Sequence, residues 1–205
     1  MIRRVLAFVA FAMLTCSAAA QEPADWPHWR GPADNGSTET GTYPVKWDAT
    51  SGVHWKVTLP GKGCSTPIVC RQRIYVTGPA EGKDALLALD WSGNQLWQTT
   101  FGAERKGKNP AGSGSNSSPT TDGQAIFVYY KSGTLARVEL DGKVTWKTNV
   151  LDRFGRDTFY WDMGTSPVLT QKYLVVAMMH HGESYLAAFD KVTGELSWKV
   201  SRNYQ

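Results

Sequence analysis

Cysteine is scarce in this chain of 205 residues: there are three, at positions 16, 64 and 70. That excludes a small scaffold stapled by disulfides. Cys64 and Cys70 stand six residues apart, roughly 20 Å of extended chain, whereas bridged Cα atoms lie within about 7 Å. Only a sharp turn at Ser65, Thr66 and Pro67 would join them, so the preferred reading is two half-buried thiols. No long basic run occurs and the formal net charge is only +4, which leaves nucleic acid without an electrostatic footprint to bind. No helical period of useful length appears after residue 20, which argues against a helical bundle. The one long apolar run, residues 5–14, is too short for a membrane span.

That run belongs to an export signal. Arg3 and Arg4 form its positive start, and Ala18, Ala19 and Ala20 form the small-residue site, with cleavage expected after Ala20. A lipid anchor on Cys16 is disfavoured, because Thr15 and Met13 are poor residues before a lipidated cysteine. Cleavage at that site leaves 20 basic and 18 acidic residues, and directs the chain to the periplasm or the exterior.

Tryptophan, glycine and proline are abundant: 9, 20 and 10 residues. This mixture suits an all-β protein with many turns. Residues 21–52 form a leader rich in Pro and Gly that carries Trp26, Trp29 and Trp47. Its rings are expected to pack on the body as an apolar belt, with Asn35 and Gly36 making a turn.

The remainder repeats. The stretch 185–200 (YLAAFDKVTGELSWKV) reads as strand, turn, strand, and 86–98 (LLALDWSGNQLWQ) and 135–147 (LARVELDGKVTWK) are earlier copies. Asp recurs at 90, 141 and 190, and Trp at 97, 146 and 198. A period of about 50 residues is the signature of a repeat architecture. Each copy is preceded by a Ser/Thr-rich step ending in Pro67, Pro119 or Pro167, and then by a β-rich run. Four short strands per repeat make the blade of a β-propeller. Blades are expected at about 64–101, 116–150 and 164–200. Residues 53–59, with Trp55, read as the last strand of a blade whose other strands are missing. Three blades and one strand cannot close a ring of about four to eight. The remaining blades are therefore expected outside this chain, in a protein of about 400 residues on the same arithmetic. Residues 21–205 alone would then be marginal or oligomeric.

The pattern Ala-x-Asp-x-x-Thr/Ser-Gly-x-x-x-Trp resembles the repeat of the pyrroloquinoline quinone (PQQ)-like propellers. The copy from Ala188 through Asp190, Thr193 and Gly194 to Trp198 matches fully. That from Ala88 through Asp90, Ser92 and Gly93 to Trp97 has one residue fewer, and the copy with Asp141, Gly142 and Trp146 has a shortened turn. The leader segment 26–32 (WPHWRGP) is similar to that of secreted PQQ-like proteins of planctomycete-type bacteria. The resemblance implies a quinoprotein dehydrogenase-like fold in which Trp55, Trp97, Trp146 and Trp198 dock each blade on the next. It implies either a non-catalytic binding or scaffold module, similar to the propeller of outer-membrane assembly, or a dehydrogenase in which Ca²⁺-bound PQQ oxidises an alcohol or sugar. Many alcohol-oxidising members have adjacent cysteines, which this chain lacks. No metal set and no catalytic residue can be assigned, so no cofactor is expected outside the dehydrogenase alternative.

Ligand chemistry in a propeller belongs to one rim, formed by the loops leading into each blade and those joining its second and third strands. Loop 101–116 is rich in Gly and Ser and carries Arg105, Lys106 and Lys108, which reads as a flexible, solvated loop. Loop 151–164 offers Arg153, Arg156, Asp157, Tyr160, Trp161 and Asp162, a mixture suited to a sugar, an anion or a peptide, hence to a glycan or protein partner, and equally to an ion-paired plug. His180 and His181 fall on the same rim. Adjacent side chains of extended chain point to opposite faces, so the pair is a poor metal site.

Overall fold

The structure, a computed structural model, describes residues 25–38, 41, 43–110, 112–156, 158, 161–179 and 183–203. Among them stand three antiparallel four-stranded sheets, each a meander in chain order. The first contains β1 (Ile68–Cys70), β2 (Arg73–Ala80), β3 (Lys83–Leu89) and β4 (Gln95–Ala103). The second contains β5 (Thr120–Thr121), β6 (Ala125–Tyr129), β7 (Thr134–Glu139) and β8 (Val144–Asn149). A single turn of helix, α1 (Val150–Phe154), leads to β9 (Val168–Leu169), β10 (Tyr173–Met178), β11 (Glu183–Asp190) and β12 (Leu196–Asn203). Residues 1–20, expected to be an export signal, lie outside the described residues. The stretch 53–59 pairs with no strand among them.

The alternation of β6 shows how the blades pack. Its residues are buried on both faces, and successive side chains of a strand point to opposite faces. Ile126, Val128 and Tyr130 join Ile68, Tyr75, Leu86 and Ala88 of the first blade in one core. Ala125, Phe127 and Tyr129 join Leu174, Val176, Tyr185 and Phe189 of the third blade in another. The middle blade is therefore filling between two cores, which explains its near-continuous apolar run.

The outer hairpins add a second bond between blades. The Trp97 indole N–H donates to Leu140 O of the next blade at 3.1 Å, and that of Trp146 to Lys191 O at 3.1 Å. The Trp55 indole donates to Trp91 O at 3.0 Å. Each ring lies under the turn glycine of the blade it reaches. A Cβ on Gly93, Gly142 or Gly194 would stand 2.8, 2.9 or 2.6 Å from Trp55, Trp97 or Trp146. These glycines also have φ of 85°, 93° and 76°, a region that L side chains enter at a cost. The repeat Asp shapes the same turn. Asp190 Oδ1 accepts from the N–H groups of Val192 and Thr193, and Asp90 Oδ1 from those of Ser92 and Asn94. These bonds hold both carboxyls below their ordinary pKa, with the Asn94 side chain the largest cause at Asp90 and the Thr193 N–H at Asp190.

A third relay runs through the Ser/Thr-Pro steps, nearest the inner strands. Thr66 N–H donates to Ser118 Oγ at 2.9 Å, and Ser118 N–H to Ser166 Oγ at 3.0 Å. Thr77 Oγ1 donates to Ser117 O at 2.8 Å, and Ser117 Oγ to Thr165 O at 2.6 Å. The hydroxyls before Pro119 and Pro167 thus each tie their blade to the preceding one. Ser118 is only 3% exposed, so Ser118→Ala strands the Thr66 N–H and is expected to destabilise by about 1–3 kcal/mol. A urea midpoint unchanged from wild type would remove the relay from the account.

The leader does not form the expected belt. Trp29 and Trp47 are 56% and 68% exposed. Instead the chain turns inward: Trp26 exchanges both backbone hydrogen bonds with Val69 of β1, and Thr121 N–H of β5 donates to Pro27 O. An inner strand has an open edge with unpaired backbone groups, and this contact outweighs burial of the Trp29 and Trp47 rings. Asn35 and Gly36 do lie in a turn, closed by Gly36 N–H to Arg30 O.

Candidate functional site

Among the described residues, the rim is built from those of 104–119 and 155–167 and from the turns that join second to third strands. Glu104 N–H donates to Gly82 O, Lys131 N–H to Gly114 O, and Val150 N–H to Gly133 O. Between the two long loops stands the Lys131 ammonium, its side chain 2% exposed, paired with the Asp162 carboxylate, 7% exposed. Lys131 Nζ also donates to Lys106 O at 2.9 Å. Asp162 accepts the backbone N–H groups of Lys108 at 2.8 Å and Asn109 at 3.2 Å. Burial alone would raise the Asp162 pKa; Lys131 and the two N–H groups outweigh it and hold the carboxyl below its ordinary range. One ion pair therefore clamps two loops and a turn. Loop 101–116 is correspondingly not solvated throughout, since Ser113 and Ser115 are buried.

Of the candidate rim residues, Asp162 faces inward into this clamp. Arg153 stacks its guanidinium over Phe154 and Phe189 at 5.5 and 5.6 Å. Arg156 is exposed and Trp161 is 60% exposed. Asp157, Tyr160, His180 and His181 lie outside the described residues. A cleft of 410 Å³ opens beside the clamp, between residues 60–62, the β2–β3 turn and loop 104–114, with Lys62, Glu81, Glu104 and Lys106 on its wall.

Sequence reasoning did not single out Lys131, Asp84 or Ser132. Asp84 of β3 is fully buried, and Ser132 Oγ of the next blade donates to its Oδ2 at 2.5 Å. Oδ1 has no partner among the described residues. Burial raises the Asp84 pKa to about 6, against the Ser132 hydrogen bond and with help from Glu104. A raised folded value means that stability is highest below the unfolded pKa, near 4, and falls as pH rises through about 6. Asp84→Asn is expected to raise stability at pH 7.5 by about 1–3 kcal/mol and to flatten the decline between pH 4 and 7. Urea unfolding across that range checks this; an unaltered slope would assign the titration elsewhere.

A Ca²⁺-bound quinone needs a clustered oxygen-ligand set, yet among the described residues no three His, Cys, Asp or Glu side chains stand together for a metal. Cys64 and Cys70 are both thiols, one exposed and the other buried. No residue here is thereby assigned to that cofactor. No helix among the described residues is long and apolar enough to cross a membrane.

Meander blades joined by a docking Trp and a turn Gly define a PQQ-like repeat propeller. The chain belongs to the family whose model is described as outer membrane protein assembly factor BamB, which it matches over residues 37–204. No curated protein matches it. Among solved structures it is similar to the quinohemoprotein alcohol dehydrogenase of Comamonas testosteroni, with 16% identity and a TM-score of 0.59, over 86% of this chain and 27% of that one. It is similar to alcohol dehydrogenase ADHIIG of Pseudomonas putida HK5, with 19% identity and a TM-score of 0.53, over 72% and 22%. BamB of Moraxella catarrhalis matches with 18% identity and a TM-score of 0.49, over 75% and 44%. The chain thus spans about a quarter of the length of the two dehydrogenases, and the likeness is one of fold.

Proposed function

We propose that this chain is part of an exported, non-catalytic propeller that binds a protein on its rim and acts as a scaffold. The observation that carries the reading is the Lys131–Asp162 clamp. It commits the Asp162 carboxylate to tying its own loop to Lys131 and to residues 106–109, and leaves exposed Trp161 and Arg156 on a braced surface. Aromatic and arginine side chains on a pre-organised surface are the usual anchors of protein interfaces. The family description, an outer-membrane assembly factor, agrees with a partner-binding role. Export follows from the reading of residues 1–20 as a cleaved signal.

The competing reading is a PQQ-dependent dehydrogenase, and one assay separates the two. The full chain is supplied with PQQ, Ca²⁺, a primary alcohol or an aldose, and a reducible dye. The scaffold reading expects no dye reduction above the protein-free blank. Steady reduction that requires PQQ would overturn it.

A further inference from the structure

A second cleft, of 890 Å³, lies away from the clamp, between the leader and the inner strands of the second and third blades. Its wall has two properties that together specify an occupant. The first is an unequal use of strand edges. The free edge of β1 is taken by Trp26 and that of β5 is reached by Pro27, whereas β9, the end strand of its sheet, carries no backbone partner on its outer edge among the described residues. Val168 of β9 is 62% exposed in the cleft. An open edge of this kind accepts an extended chain.

The second is an excess of donors on the wall of the cleft. Asn116 Oδ1 is used by the Ser113 N–H and hydroxyl, at 3.0 and 3.1 Å, which leaves the Asn116 amide N–H groups to donate. The oxygens of Ser118 and Ser166 accept backbone N–H groups, so their hydroxyl protons remain to be given. The Arg30 guanidinium lies over Trp29 at 5.7 Å and has no hydrogen-bond partner among the described residues. The carboxylate on the described wall, Asp34, is turned to His28 at 3.4 Å.

The geometry points to a binding site for the carboxy-terminal end of an extended polypeptide. Its backbone adds to β9, and its terminal carboxylate is received by Arg30, Asn116, Ser118 and Ser166. This rests on the reading of the chain as a protein-binding propeller and supplies the chemistry of one partner segment.

The test is a titration of the full chain with a fluorescein-labelled, valine-rich hexapeptide bearing a free carboxylate, followed by anisotropy. The same peptide as its C-terminal amide, and a trigalacturonate competitor, are run beside it. The free acid is expected to bind at least tenfold more tightly than the amide, with trigalacturonate failing to displace it. Arg30→Gln is expected to abolish the preference while its thermal transition matches wild type. Equal binding of acid and amide, no binding of either, or displacement by trigalacturonate would overturn the assignment. The dye-reduction assay on the same preparation separates the failures. Turnover there removes the scaffold reading itself, while silence there with no acid preference removes this site alone.

Discussion

Trp146→Ala is expected to lower stability by about 3–5 kcal/mol, the range for deleting a large packed aromatic. Three contacts are lost at once. The ring lies 6.4 Å from Phe127 between centroids, its N–H donates to Lys191 O, and Gly194 sits against its face. Trp146→Phe separates them: it keeps most of the apolar contact and loses the hydrogen bond, so about 1 kcal/mol is expected. Gly194→Val probes the other side of the joint. Its side chain would meet the ring at 2.6 Å and would need φ near 76°, so it should approach the alanine variant in severity. Equilibrium unfolding in urea reads all three. A near-neutral Trp146→Ala would undo the assignment of this residue as a blade-to-blade dock.

Asp162→Ala is expected to cost a similar amount, about 3–5 kcal/mol, because it leaves the buried Lys131 charge without its counter-ion. Lys131→Met should cost less, since Asp162 keeps the N–H groups of Lys108 and Asn109. The pH dependence has a definite sign. Asp162 has a lowered folded pKa, so its contribution is present above the unfolded value, near 4, and is lost as pH falls through the folded one. Asp84 acts in the opposite direction, penalising the folded state as pH rises through about 6. Wild type should therefore be most stable in mildly acidic solution. Asp162→Ala removes the loss on the acid side, and Asp84→Asn removes the decline towards neutral pH. Limited proteolysis gives the second readout: cleavage within 104–119 should accelerate in Asp162→Ala before global unfolding.

The fold was legible because its signals are local and repeated. Asp, Gly and Trp at about 50-residue intervals mark a hairpin turn, and four β-rich runs per interval mark a blade. What the repeat does not reveal is where each side chain ends. Glycine 194 reads as a turn residue, yet it also faces the indole of Trp146 from the preceding blade. The Ser/Thr-Pro steps read as strand starts, but Ser117 and Ser118 spend their hydroxyls on neighbouring blades, 48 and 52 residues away. Asp162 stands among charged and aromatic residues and reads equally as ligand or plug. The deciding partner, Lys131, lies 31 residues earlier in an ordinary-looking turn. The leader misled for a different reason. Three tryptophans suggest burial, while the open edges of β1 and β5 offer backbone pairing that no side-chain pattern announces.

The rim is the proposed partner-binding face. A photo-cross-linking residue placed at Trp161, on the rim, and in a second variant at Lys143, in the β7–β8 turn of the opposite face, tests it in cells that export the full chain. The expected result is a discrete cross-linked protein species from position 161, weakened when Asp162→Ala is added, and none from position 143. Adducts of equal yield from both faces, or from position 143 alone, would contradict a braced rim as the site of binding.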